Sequence, residues 1–156
     1  TKTAAATRRE FDVNVFGYLE MIRAVLPHMR ARGGGIIHSV GSPTGDIGHS
    51  GLSGYAATKG AIKGLTRSLQ MELQGTGVSC TLMLPPTTDT RMVADLGYPE
   101  WMLASPETVG RKLAGKIDST DPVITPDRRT AFGLYLFERI PWLWQTITER
   151  YVDAPE

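Results

Sequence analysis

The chain has 156 residues, 41% of them apolar and 21% charged, and a formal net charge of +1. That length and balance fit one soluble globular domain with room for a sizeable core, and the near-neutral charge gives no electrostatic case for a nucleic-acid partner. A single cysteine, Cys80, excludes an internal disulfide and a cysteine-based zinc site, so the cytoplasm is the expected compartment.

Thr7 and Glu10 have capping-box spacing, so a helix is expected to start near Arg8. Phe11, Val15, Tyr18, Leu19, Ile22, Leu26 and Met29 follow at spacings of three and four, which carries that helix to about Arg32, with a bend at Pro27. Gly33-Gly34-Gly35 stops it, and the β-branched run from Ile36 to Val40 reads as a buried strand. The segment 41–54 holds five glycines and a proline and reads as a loop. A second helix is expected from Ser53 or Gly54 to Gln74, with Ile62, Leu65, Leu69 and Leu73 inward, ended by Gly75 and Gly77. Val78 to Leu84 is a second strand, stopped by Pro85-Pro86, and a loop of some twenty residues follows. Ser105-Pro106-Glu107 starts a helix that should reach Lys116. Pro122 to Thr125 is a short strand, and two aromatic-rich helices split by Pro141 finish the chain. Alternating helices and strands imply an α/β fold with a Rossmann-like parallel sheet between flanking helices.

One constellation carries chemistry. Ser42 lies in the glycine-rich loop, Tyr55 follows thirteen residues later, and Lys59 stands one helical turn beyond Tyr55. Residues four apart share a helix face, and an ammonium beside a phenol favours the phenolate. Such a tyrosine is a general acid for carbonyl reduction or a general base for alcohol oxidation, while a serine hydroxyl can hold the substrate oxygen beside it.

Asn14-Val15-Phe16-Gly17, Gly35-Ile36-Ile37, Gly41-Ser42, Gly45, Tyr55-Ala-Ala-Thr-Lys59-Gly-Ala, Pro85 and Thr90 together resemble the short-chain dehydrogenase/reductase family, in order from about Thr7 to Met92. The resemblance implies a catalytic set of Asn14, Ser42, Tyr55 and Lys59, with Ser42 and Tyr55 meeting a carbonyl or alcohol substrate. It implies an NAD(P) cofactor, NADP slightly favoured, in contact with Tyr55, Lys59, Pro85, Thr88 and Thr90. It also implies a homo-oligomeric full-length protein, pairing through the two long helices. Pro86 stands where the family commonly has glycine, and Pro85-Pro86-Thr87-Thr88-Asp89-Thr90 with Leu69 to Leu73 is similar to the 3-ketodihydrosphingosine reductase branch, which implies a bulky lipid-like 3-oxo substrate. The glycine-rich turn that meets the cofactor pyrophosphate in the family has no counterpart before Asn14. The chain therefore reads as the C-terminal part of a larger doubly wound enzyme, inactive by itself. Residues 1–127 are expected to be part of the dinucleotide-binding catalytic domain and 128–156 an aromatic-rich helical extension.

The extension has three readings: a packed helix pair, a lid over an apolar substrate, or a peripheral membrane contact. The third belongs to an alternative for the whole chain, a non-catalytic binding or membrane-surface module that keeps the scaffold. His38 reads as a structural residue of a strand and Cys80 as a core side chain. His49 lies in the active loop and reads more readily as an ordinary loop residue than as a substrate contact.

Overall fold

The structure is a computed structural model that describes residues 3–151. The first helix begins earlier than its sequence signal. Thr3, not Thr7, is the cap, its hydroxyl oxygen accepting from the Ala6 N–H at 3.2 Å. The physical reason is Ala4-Ala5-Ala6, three strong helix formers directly behind that cap. Thr7 and Glu10 instead face the next long helix. Helix α1 (Ala4–Phe11) passes through a π turn (Asp12–Phe16) into α2 (Gly17–Ala31). In that turn the Gly17 N–H reaches back five residues to the Asp12 carbonyl. The irregularity thus falls around Asn14, and α2 continues through Pro27.

Strand β1 (Gly35–Val40) leads to a short helix α3 (Thr44–Ile47), where only a loop was expected. The long helix α4 (Ser53–Glu72) and strand β2 (Val78–Met83) follow. The segment between Pro85 and Ser105 contains two single 3-10 turns, Ala94–Leu96 and Glu100–Met102. A parallel bridge between Thr88 and Ala104 closes its base, so it is a shaped loop with a fixed neck. Helix α5 (Pro106–Ala114) starts as expected, with Ser105 Oγ accepting from the Thr108 N–H at 3.3 Å. Strand β3 (Val123–Ile124), α6 (Arg128–Arg139) and α7 (Pro141–Tyr151) complete the described residues.

The three strands form one parallel sheet in the order β1-β2-β3, with Ile37 opposite Cys80 and Leu82 opposite Val123. Ile22 of α2, Leu69 of α4, Leu73 at its C-cap, and Ile37, Val78 and Cys80 of the sheet form one buried cluster. A second cluster, Ile62, Leu82 and Leu84, draws in Leu134 of α6 and lies at the carboxyl end of the strands. His38 is fully partnered: its Nε2–H donates to the Ile117 carbonyl at 2.7 Å, and its Nδ1 accepts from the Thr81 hydroxyl at 2.6 Å. Asp127 caps α6 by accepting from the Thr130 N–H at 2.9 Å and meets Lys112 Nζ at 2.6 Å, which fixes α6 against α5.

Two glycines set how closely these elements approach. A Cβ at Gly45 would stand 2.7 Å from the Lys59 carbonyl carbon and the Gly60 nitrogen, so only glycine lets α3 lie against α4. A Cβ at Gly54 would meet Glu10 Oε2 at 2.5 Å, and that is where the side chains of Thr7 and Glu10 sit.

Candidate active site

In parallel sheets the ligand crevice lies beyond the carboxyl ends of the strands. Here β1 ends at Val40 and delivers Gly41 and Ser42, while β2 ends at Met83 and delivers Pro85 and Pro86. Both segments open on a cavity of about 480 Å³, within the usual range for a small-molecule site. Ser42 and Tyr55 line it from one side, Pro85, Thr88 and Thr90 from another. The long loop contributes Leu96, Tyr98 and Trp101, and the C-terminal helices contribute Leu134, Phe137 and Trp144.

Ser42 and Tyr55 share the wall of the cavity. Ser42 Oγ accepts from the Thr44 N–H at 3.2 Å, which pins the serine to the first turn of α3. Burial pushes the Tyr55 phenol above its ordinary value, and the Ser42 hydroxyl offsets part of that rise. Lys59 sits one turn along α4 with Nζ 5.6 Å from the Tyr55 ring centre, and it donates to the Val40 carbonyl at 3.0 Å. Burial lowers the Lys59 pKa. The expectation that Lys59 would draw the phenol downward is therefore not met by the groups of this chain, because burial outweighs the favourable contacts.

Asn14 does not line the cavity. Its Nδ2 donates to Thr58 Oγ1 at 3.2 Å, and the Thr58 hydroxyl donates to the Tyr55 carbonyl at 2.7 Å. Thr58 is fully buried, so the asparagine reaches the tyrosine through one rigid intermediary. Thr58 escaped the sequence reading because a mid-helix threonine carries no signal until its partner across the helix pair is known. Thr88 Oγ1 donates to the Pro86 carbonyl at 2.8 Å, a contact that organises the turn where glycine is usual.

Lys63 extends the Tyr55–Lys59 series by one more turn and was also missed. Its Nζ meets Asp46 Oδ1 of α3 at 2.5 Å and Glu138 Oε1 of α6 at 3.1 Å. One ammonium thus ties the Ser42 loop and a wall of the cavity to the helix bearing Tyr55. The i, i+4 spacing was the available clue.

The extension packs against the site. Trp144 is 8% exposed, its Nε1–H donates to the Gly48 carbonyl at 3.3 Å, and its ring lies 5.2 Å from Phe137. Tyr98 packs against His49 with the rings tilted and their centres 5.4 Å apart, and burial pushes its phenol up to about 12. A phenol raised in the folded state holds its proton more tightly there than in the unfolded chain. Its contribution to stability is accordingly full below about pH 10 and is lost as pH rises through about 12. Denaturant midpoints measured across that window should fall less steeply for Tyr98→Phe than for the parent; parallel profiles would show that Tyr98 titrates normally.

Known proteins resemble this chain in sequence and in fold. The family model for short chain dehydrogenases matches residues 1–101. A 2-(R)-hydroxypropyl-CoM dehydrogenase of Xanthobacter autotrophicus is 35% identical over 102 residues, covering 65% of this chain and 38% of that protein. A 3-dehydrosphinganine reductase of Arabidopsis thaliana is 42% identical over 82 residues, 51% of this chain and 25% of that protein. The chain thus spans well under half the length of these two relatives. A Burkholderia cenocepacia short chain dehydrogenase solved with NADP is similar in fold, with a TM-score of 0.77 at 21% identity over 96% of this chain and 60% of that one. A family match over residues 1–101, on a parallel sheet whose strand ends carry the serine and flank the tyrosine, places the chain in the short-chain dehydrogenase family.

Proposed function

We propose that the protein is an NAD(P)-dependent oxidoreductase that moves a hydride between a nicotinamide and an apolar ketone or secondary alcohol. The observation that carries this reading is Ser42 and Tyr55 together on the wall of a largely apolar cavity. The donor set fits a nicotinamide cofactor: Lys59 and Tyr55 on one helix face would hold its ribose, and Pro85, Thr88 and Thr90 would meet its ring end. When bound, that cofactor supplies or accepts the hydride at the substrate carbon.

The rest falls to side chains of this chain. In reduction, Ser42 donates to the carbonyl oxygen and holds it against the phenol. Tyr55, protonated at neutral pH because burial holds its pKa up, gives its proton to that oxygen as the new C–H bond forms. The Lys59 ammonium steadies the resulting phenolate, and Asn14, through Thr58, positions the helix turn by which a proton returns. Residues 1–127 act as the catalytic portion and the segment from 128 as a lid. The similarity to a 3-dehydrosphinganine reductase supports a bulky substrate with a lipid-like chain. The direct test is loss of NAD(P)H absorbance when the full-length protein is mixed with medium-chain ketones. No consumption with any of them would overturn the proposal.

A second reading, contact with a membrane surface, is favoured by Trp101, Phe132, Tyr135 and Trp142, which are between 58% and 70% exposed. Among the described residues no helix is long and apolar enough to cross a membrane, so any contact would be peripheral. Flotation with liposomes should weaken when residues 128–156 are removed; unchanged flotation would argue against it.

A further inference from the structure

Gly48 ends the short helix α3 in a backbone conformation that glycine alone adopts readily. Its φ is 71° and its ψ 175°, and its N–H closes the last turn on the Thr44 carbonyl at 3.0 Å. A Cβ added there would meet nothing within 4 Å, so crowding is not what calls for glycine at this position. What the conformation does is aim the Gly48 carbonyl, which accepts the Trp144 Nε1–H at 3.3 Å. A conformation closed to other residues persists where the surrounding structure uses it, and the contact it makes here is with the cavity wall.

Trp144 is wedged as well as tethered. Its ring meets Phe137 at 5.2 Å between centres, and His49 and Tyr98 at 6.5 Å each. Those three residues come from α6, from the loop after α3 and from the long loop after β2, and all of them line the same cavity. Lys63, paired with both Asp46 and Glu138, joins α3 to α6 a second time. The indole is therefore a fixed piece of the wall, with no room to swing aside for a larger ligand. Among the described residues that line the cavity none is a carboxylate, lysine or arginine, so bulk and not charge separates one neutral ligand from another.

We propose that Trp144 sets the upper bulk of the neutral ketone or secondary alcohol that the cavity admits, and that Gly48 is the residue that positions it. This inference rests on the oxidoreductase reading for the identity of the reacting group, but the size limit itself does not require turnover. Ser42 and Tyr55 act on whichever carbonyl is bound, and Trp144 decides how large its bearer is. Gly48 touches no substrate; it acts through the indole alone.

The test uses full-length protein with butanone, octan-2-one and acetonaphthone, methyl ketones of increasing bulk. The quantity read is kcat/KM for each relative to butanone, together with the matching ratio of calorimetric dissociation constants. A general folding defect lowers every rate and leaves these ratios unchanged. Trp144→Ala should shift the acetonaphthone ratio about tenfold in favour of the larger ketone, the discrimination that a small change of volume gives in an apolar pocket. Gly48→Ala and Trp144→Phe, which lose the tether but keep a ring in the wall, should shift it the same way by about threefold, a fraction of what one hydrogen bond provides. Gly48→Ala/Trp144→Ala should match Trp144→Ala alone, because the glycine has no other route to the ligand. An unchanged ratio in Trp144→Ala, effects of the two substitutions that simply multiply, or no binding of any of the three ketones would overturn the proposal. If Trp144→Ala does not fold, unchanged ratios in Gly48→Ala and Trp144→Phe would overturn it equally. Calorimetric ratios that shift as expected without consumption of NAD(P)H would instead overturn the oxidoreductase reading and leave the size limit standing.

Discussion

Tyr55→Phe is expected to lower kcat for ketone reduction by about a thousandfold, the middle of the range for removing a positioned proton donor. The affinity for cofactor should stay within a few fold, because the ring remains beside Lys59 and the lysine keeps its bond to the Val40 carbonyl. The separation of the two effects is the informative part. A folding defect would depress both, whereas loss of one hydroxyl removes only the transferable proton. Stopped-flow single turnovers with cofactor titrations would measure both, and near-normal kcat in the variant would dismiss Tyr55 as the acid.

Lys63→Met should have the second largest effect, and it should show first in stability. The Lys63 and Asp46 side chains are 12% and 16% exposed, so the pair is nearly out of water. Removing one member of such a pair strands the other as a desolvated charge, at a cost of about 3 kcal/mol. Glu138 is 50% exposed and half solvated, so Glu138→Gln should cost less than about 1 kcal/mol. The double variant Lys63→Met/Asp46→Asn should regain part of the loss, since the only charge then left without Lys63 is the half-solvated Glu138. Urea midpoints of the three variants test the ordering. A Lys63→Met midpoint equal to the parent would mean that the ammonium is not structural. Because Asp46 follows Ser42 by four residues and Glu138 adjoins Phe137, kcat/KM should fall with the midpoint.

These residues also show where sequence legibility stops. Ser42, Tyr55 and Lys59 were readable because the chemistry sits in one loop and one helix face, and the strands bracketing them are β-branched and glycine-bounded. Ile62, Leu69 and Leu73 are buried as their spacing required, while Cys80 lies in the core. Contacts that cross between elements were not readable. The Asn14–Thr58 bond joins residues 44 apart, and Lys63 meets Glu138 across 75 positions. Local signals misled where the tertiary structure had another use for them, as with Thr7 and Glu10, which pack beside Gly54 instead of capping a helix. The short helix α3 was hidden because glycine-rich segments score as loops, yet Gly45 is there to bring that helix close to α4.

The five-residue hydrogen bond from Gly17 to Asp12 has a geometric consequence for the first helix. One residue more than a regular turn advances a helix by about 100°, so the stretches before and after Asn14 are out of phase by that angle. The early stretch can then aim Thr7 and Glu10 at the start of α4 while the later one aims Ile22 at the sheet. Apolar residues at spacings of three and four suit either phase, which is why the rotation leaves no trace in the pattern. Were residues 12–16 to close into a regular turn with none removed, one end would swing off its partner. The helix is thus a coupling of two surfaces set at a fixed angle, with Asn14 at the joint.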